Sequence, residues 1–149
     1  IGNIYRLQGR LTDAVKQHAA ALEIQIRIEA KLQQAIQHRN LGIDFKKLGD
    51  NEKELFHYRQ SLELSKQIGA QGHVVAVLID LGRFYFERGD DHNALQTQLE
   101  ALSIARKLRN VDDEQMVLNN LAAIYSRTNN KKELVAVEKR LTEISAKSK

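Results

Sequence analysis

The sequence predicts an all-α fold built from stacked antiparallel helix pairs. Three observations carry that expectation. The 149 residues contain no proline, whereas average usage is about 5%; proline breaks helix interiors and collects in irregular loops. Six of the eight glycines form the pairs Gly2/Gly9, Gly42/Gly49 and Gly82/Gly89, seven residues apart and repeating every 40. The apolar residues within each period also recur at helical spacing, as Leu41, Phe45 and Leu48 do at i, i+4 and i+7. A fixed period of this length is the mark of a repeat array, in which each unit buries its apolar face against its neighbours.

The elements follow in chain order. The first unit, about 1–30, has its first helix cut to roughly Ile1–Gln8, two turns and too short to be stable alone. One face of the helix after it is then left open, either to preceding repeats or to self-association through this N-terminal edge. The second unit, 31–70, opens with a helix from about Leu32 to Leu48. Gly49 stops it, Asp50 or Asn51 caps the next, and that helix runs to about Ile68. The third unit, 71–110, repeats the plan with a stop near Gly89, a cap at Asp90 or Asp91 and a helix to about Leu108. Its run Val74, Val75, Val77 and Ile79 has strand-like composition, but the repeat makes it helix. The fourth unit, 111–149, places Ala122 and Asn129 where the others have the glycine pair. Asn130 and Glu133 there resemble a capping box, and Lys147-Ser148-Lys149 end a polar closing helix.

An aromatic residue follows each first small residue by three positions: Tyr5, Phe45, Tyr85 and Tyr125. Leu41, Leu81 and Leu121 precede it, and Ile24, Leu64, Ile104 and Ile144 lie on the second helix. A mid-helix glycine costs about 1 kcal/mol against alanine. Close approach of the partner helix, with the aromatic filling the space beside it, is the expected compensation.

Composition excludes several function classes. Zero cysteines remove disulfide frameworks, thiol catalysis and cysteine metal sites. The longest apolar run, Val74 to Ile79, is six residues, far short of the roughly 18 that span a bilayer. No secretory leader is recognisable, so the chain is read as cytoplasmic and without a membrane partner. It begins at Ile1 rather than Met and is expected to be an excerpt of a longer protein. The formal charge is +4, but residues 1–40 hold six Lys/Arg against three Asp/Glu and residues 121–149 seven against three, while the middle is slightly acidic. Basicity split between two ends disfavours nucleic acid.

No phosphate loop, nucleophile elbow or zinc-protease motif occurs. His18, His38, His57, His73 and His92 are scattered, and His38, at the place of Leu78 and Leu118, reads as a packing histidine. Asp112, Asp113 and Glu114 read as capping and dipole compensation where a helix begins. We therefore expect no enzyme activity, metal, cofactor or small-molecule substrate.

The G-x-x-Y-x-x-x-G spacing with a later Ala-Leu (Ala21-Leu22, Ala101-Leu102), together with Asn40-Leu41-Gly42 and Asn119-Asn120-Leu121-Ala122, resembles the tetratricopeptide repeat family. The 40-residue period resembles its longer-repeat branch, with Pins-type scaffolds, kinesin light chains and bacterial peptide-sensing regulators. HEAT and armadillo repeats have similar periods but lack the double glycine. The resemblance implies one array over 1–149, a right-handed α-α superhelix whose first helices line a concave groove.

Groove positions are then −6, −3, +1 and +4 from the first small residue. They fall on Ile36, Arg39, Ile43 and Lys46; on Ala76, Ile79, Arg83 and Phe86; and on Met116, Asn119, Ala123 and Ser126. Asn3 and Arg6 belong to the first unit, and Asn40, Lys47, Asp80, Glu87, Asn120 and Arg127 flank the stripe. Basic and amide donors mixed with apolar anchors suit a peptide or partner helix carrying acidic residues. A carboxylate clamp, known in some members, is matched only by Asn3 and Arg83; Ile43 and Ile79 occupy places where Asn and Lys are expected. The sequence thus reads as a non-catalytic protein–protein interaction module. The alternative is a domain that senses a ligand peptide and controls a fused output domain.

Overall fold

The computed structural model describes the backbone of residues 1–147 and the side chains of residues 1–146. Ser148 and Lys149, assigned above to the closing helix, lie outside the described residues. Among those described the chain is all helix: α1 (Gly2–Leu7), α2 (Leu11–Arg27), α3 (Lys31–Leu48), α4 (Asn51–Gln67), α5 (Gln71–Glu87), α6 (Asp91–Lys107), α7 (Val111–Arg127) and α8 (Lys131–Lys147). Consecutive helices form antiparallel pairs, the fold class of an α-α superhelix. No described helix is long and apolar enough to cross a membrane.

The turns explain this regularity. Gly9, Glu29, Gly49, Gly69, Gly89, Arg109 and Asn129 all have φ between 53° and 76°, each 20 residues after the last. At each, two backbone bonds close the helix. Gly49 N–H donates to Lys46 O (3.1 Å) and Asp50 N–H to Phe45 O (3.0 Å); Glu29 N–H donates to Ile26 O (3.1 Å) and Ala30 N–H to Gln25 O (3.0 Å). This is the Schellman motif, which satisfies orphan carbonyls at a helix end. Turns within and between pairs are therefore alike, although the sequence marks only some of them with glycine. Side chains then start the next helices. Asp50, Asp90 and Asn110 accept the N–H of Lys53, Asn93 and Asp113, each at 3.1 Å.

The helices gather into two compact units, Ile1–Val77 and Leu78–Lys149, the division falling inside α5. In the first, α1 packs on α2, α2 on α3 and α3 on α4. Its interior mixes apolar and polar side chains: Leu41, Tyr58, Val74, Val75 and Val77 are buried, and so are Ala14, Ala35, Ser61, Ser65, Asp44 and His18. Ser61 Oγ donates to Ala35 O (2.7 Å) and Ser65 Oγ to Ser61 O (2.6 Å), so the hydroxyls are satisfied locally. Arg6 Nε lies 2.5 Å from Asp44 Oδ1 and His18 Nδ1 lies 2.6 Å from Asp44 Oδ2, tying α1, α2 and α3 together through one buried carboxylate. The N-terminal edge leaves apolar side chains open, Leu7 at 85% and Ile28 at 65%.

In the second unit, α6 packs on α7 and α7 on α8 around an apolar interior that includes Leu78, Leu81, Phe84, Leu118, Leu121, Ile124 and Ile144. One carboxylate is buried here too. Glu114 accepts from Arg140 Nε (2.9 Å) and Nη2 (3.0 Å) and from Arg106 Nε (3.0 Å). The Arg140 hydrogen bond, outweighing burial, holds its carboxyl below the usual range. Glu114 is thus more than part of an acidic helix start. Asp113 alone of that cluster completes the cap, taking a bond from Asn110 Nδ2 at 2.7 Å.

The small residue of each pair does face its partner helix, but the aromatic three positions on is not what fills the space. A Cβ on Gly2 would meet the His18 ring at 2.4 Å, one on Gly42 the Tyr58 ring at 2.6 Å, and one on Gly82 Gln98 Nε2 at 2.1 Å. All three opposing residues stand 16 positions later, on the second helix of the pair. The aromatics Tyr5, Phe45 and Tyr85 are only half-buried, and Leu48 is exposed.

Candidate functional site

The first helix of each pair carries the predicted stripe, and its residues divide into three groups. In the second unit, Arg83, Phe86, Glu87 and Asn120 come together with Gly82, Ala123 and Ile124 around a cleft of about 250 Å3 between α5 and α7. The Gly82 backbone, Phe86 ring, Ala123 methyl and Ile124 give it apolar walls. Arg83 is exposed, and its guanidinium makes no hydrogen bond or ion pair among the described residues. The amide nitrogen of Asn120 is buried without an acceptor, which leaves its desolvation uncompensated. Phe86 does not move freely: the Arg127 guanidinium stacks 3.5 Å from its ring centroid, donates to Phe86 O at 2.8 Å and pairs with Asp91. Arg127 is therefore a support for the wall, its charge already engaged, rather than an open donor.

In the first unit, Asn3 and Asn40 line a second cleft, of about 300 Å3, with Ile1, Gly2, Gln17, His18, Ala21 and Gln37. Arg6 is not presented to it as a free charge, being held by Asp44 and by Asn40 O at 3.2 Å. Arg39 and Lys46 are half-buried and engaged within the molecule.

The remaining positions scatter. Ile79 is only 3% exposed, which corrects its assignment to the open stripe: it belongs to the buried interior, where an isoleucine at a helical spacing is most favourably placed. Ile43, Ala76 and Asp80 are half-buried, Ile36, Lys47, Met116 and Asn119 are exposed, and none of these seven lines either cleft.

Sequence reasoning missed the buried carboxylates. Asp44 stands where the other repeats have Ile4, Phe84 and Ile124, and Glu114 where the third has Val74; a charge at an apolar register position was the available signal. It also left His38 and His57 unrelated. Their Nδ1 atoms lie 2.9 Å apart, with Phe45 stacked on the His57 ring at 5.4 Å and Phe56 edge-on at 5.1 Å. Burial, then the nearby His38 and Lys53, pushes the His57 imidazole down to about 4, and burial lowers His38. A hydrogen bond between two neutral imidazoles, one donating and one accepting, satisfies both. No group of three or more metal-ligating side chains occurs among the described residues.

Comparison with known proteins places this geometry. Two profiles described as tetratricopeptide repeat match residues 1–67 and 74–114. No curated protein matches the sequence. Among solved structures the chain is similar to BtubC (BKLC) from P. vanneervenii, with a TM-score of 0.90 and 24% identity over 99% of this chain and 61% of that one. It is also similar to aspartyl phosphate phosphatase F from Bacillus subtilis, with a TM-score of 0.93 and 12% identity over 99% of this chain and 39% of that one. Kinesin light chain TPR-like repeats from Podosopora anserina match with a TM-score of 0.77 and 18% identity over 99% of this chain and 73% of theirs. The chain spans less than two thirds of the first two, and these likenesses speak for the fold. From the two profile matches, the 40-residue helix pairs and the shared fold together, the chain belongs to the tetratricopeptide repeat family.

Proposed function

We propose that the chain is a non-catalytic protein-interaction module that holds a peptide or partner helix bearing acidic residues, with the α5–α7 cleft as its main subsite. The observation that carries this reading is the combination in that cleft of apolar walls, an unpaired guanidinium and an amide donor lacking an acceptor. An apolar side chain of the partner fills the space beside Phe86 and Ala123. A carboxylate meets Arg83, and a main-chain carbonyl meets Asn120. Arg127 keeps the Phe86 ring in place before binding, which lowers the ordering cost on association. The formal charge of +4 favours acidic partners at long range.

The test is selection of peptides on the wild-type protein, followed by fluorescence anisotropy with variants. Arg83→Glu should weaken an acidic peptide by about tenfold or more, since hydrogen bonds to charged groups contribute about 1.5–3 kcal/mol, and should flatten its salt dependence. Phe86→Ala should weaken it comparably. Because Arg83 is exposed, Arg83→Glu leaves the melting temperature nearly unchanged. A selected peptide that binds both variants as tightly as wild type removes the α5–α7 cleft from the reading.

A further inference from the structure

A trench of about 200 Å3 runs between α6 and α8, the second helices of their pairs, with α7 beneath it. It shares none of its lining residues with the α5–α7 cleft. Leu99 and Leu102 form one wall, Ala136 and Val137 the other, and Leu121 and Tyr125 the floor. Leu99 is 44% exposed, at a place where the other repeats carry Ala19, Arg59 and Lys139. A leucine left in water on the wall of a recess stabilises only what comes to cover it.

The same register in the first compact unit shows what fits such a space. Eighty residues earlier, α3 and α4 carry His38, Phe45, Phe56 and His57 at the places of Leu118, Tyr125, Ala136 and Val137. There the His57 ring stacks on Phe45 at 5.4 Å and its Nδ1 meets His38 Nδ1 at 2.9 Å, while Phe56 stands edge-on to it at 5.1 Å. Two rings of the chain itself thus occupy that place. Ala136 and Val137 put a methyl and an isopropyl group there instead, so both rings are missing between α6 and α8. Tyr125 keeps the surface on which a ring stacks.

Charge distinguishes the two ends. Glu133 stands near Tyr125. Arg106 and Arg140 stand at the other end, where both clasp Glu114. Arg106 uses only its Nε for that bond and is exposed, so its terminal nitrogens are placed to take a further carboxylate. The trench is flanked by two exposed positions, Leu99 and Ala136, which leaves room for a backbone to pass over it.

We infer that this trench is a second docking site, which receives an aromatic side chain of a partner protein and sets a carboxylate of the same segment on Arg106. The ring lies between Leu99 and Val137 and stacks on Tyr125, taking the place that the His57 ring takes eighty residues earlier.

The experiment titrates the full chain with acetyl-phenylalanine amide, acetyl-leucine amide, acetyl-phenylalanine and toluene, followed by methyl-resolved carbon–proton NMR. Ring-current shifts should fall on Leu99, Leu102 and Val137. The phenylalanine amide should bind about two- to tenfold tighter than the leucine amide, the worth of an aromatic pair. Acetyl-phenylalanine, with its free carboxylate, should gain about two- to fivefold over its amide, a gain that Arg106→Gln removes. Ala136→Phe with Val137→His rebuilds the earlier arrangement and should abolish binding; if that variant melts early, Ala136→Phe alone, at an exposed position, decides. Binding that Ala136→Phe leaves unchanged overturns the inference, as does equal affinity for the two amides. Shifts confined to Ala123 and Ile124 also overturn it, since the probe then sits in the α5–α7 cleft. Binding of toluene with none of the phenylalanine amide overturns it too, because the trench then admits a free ring but no chain. The reading of the α5–α7 cleft is decided separately, by Arg83→Glu and Phe86→Ala.

Discussion

Replacing Gly82 by alanine sets helix propensity against packing, and the structure says which wins. Alanine in a helix interior is favoured over glycine by about 1 kcal/mol. The new Cβ, however, would sit 2.1 Å from Gln98 Nε2, 2.7 Å from Cδ and 2.8 Å from Cγ. Gln98 is fully buried, so it has no solvent to retreat into. Its Nε2 also donates to Ile79 O at 3.2 Å. Overpacking of this kind costs about 1–3 kcal/mol, and the displaced hydrogen bond adds about 1 kcal/mol. The net expectation is destabilisation by about 1–3 kcal/mol, read as a lower urea midpoint with unchanged slope, or as a Tm lowered by about 2–4 °C per kcal/mol. Gly72→Ala is the control: nothing lies within 4 Å of a Cβ there, so it should stabilise slightly. In a double-mutant cycle, Gln98→Ala should relieve the clash and give a favourable coupling with Gly82→Ala. A Gly82→Ala protein as stable as wild type, or more so, refutes the argument. Ala122 is compatible with it, because the residue opposite, Glu138, is exposed.

Two further outcomes follow from the turns and the histidines. Glu29 is exposed with φ of 53°, and a left-handed L-residue costs about 1–2 kcal/mol. Glu29→Gly should therefore raise the urea midpoint, and Gly49→Ala, at φ of 76°, should lower it. The His57 imidazole titrates at about 4 in the fold against its ordinary 6.5. Between those values the unfolded chain binds the proton and the folded chain does not, so stability is complete above pH 6.5 and declines as pH falls toward 4. The melting temperature should drop less steeply over that window in His57→Phe than in wild type, and an NMR titration should place the His57 midpoint near pH 4.

The fold was legible because its signals are periodic. Forty-residue spacing of Gly42/Gly49 and Gly82/Gly89, absence of proline, and Asp50 and Asp90 as caps all act locally, and local physics leaves a trace in sequence. The turns at Glu29 and Arg109 were harder to read, since backbone hydrogen bonds impose the left-handed conformation on residues that do not advertise it. The site was legible in part. Arg83, Phe86, Glu87 and Asn120 share a cleft because helical spacing puts them on one side of α5 and α7. Ile79 has the same spacing and is buried, because a spacing rule fixes a residue's direction but not how closely the next helix packs. Arg6 was read as an open donor for a related reason: its partner Asp44 lies 38 residues away, and pairings at that distance follow from tertiary structure.

The identical turns every 20 residues bear on the history and the engineering of the chain. Each joint closes the helix before it with the same two backbone hydrogen bonds, so the chain leaves every helix in the same backbone conformation. Unequal crossing-over that deletes or inserts 120 base pairs would rejoin the reading frame and the backbone geometry in a single event. The number of units in such a gene is thereby free to drift, and a designer can splice in an extra one at any joint whose flanking side chains are matched.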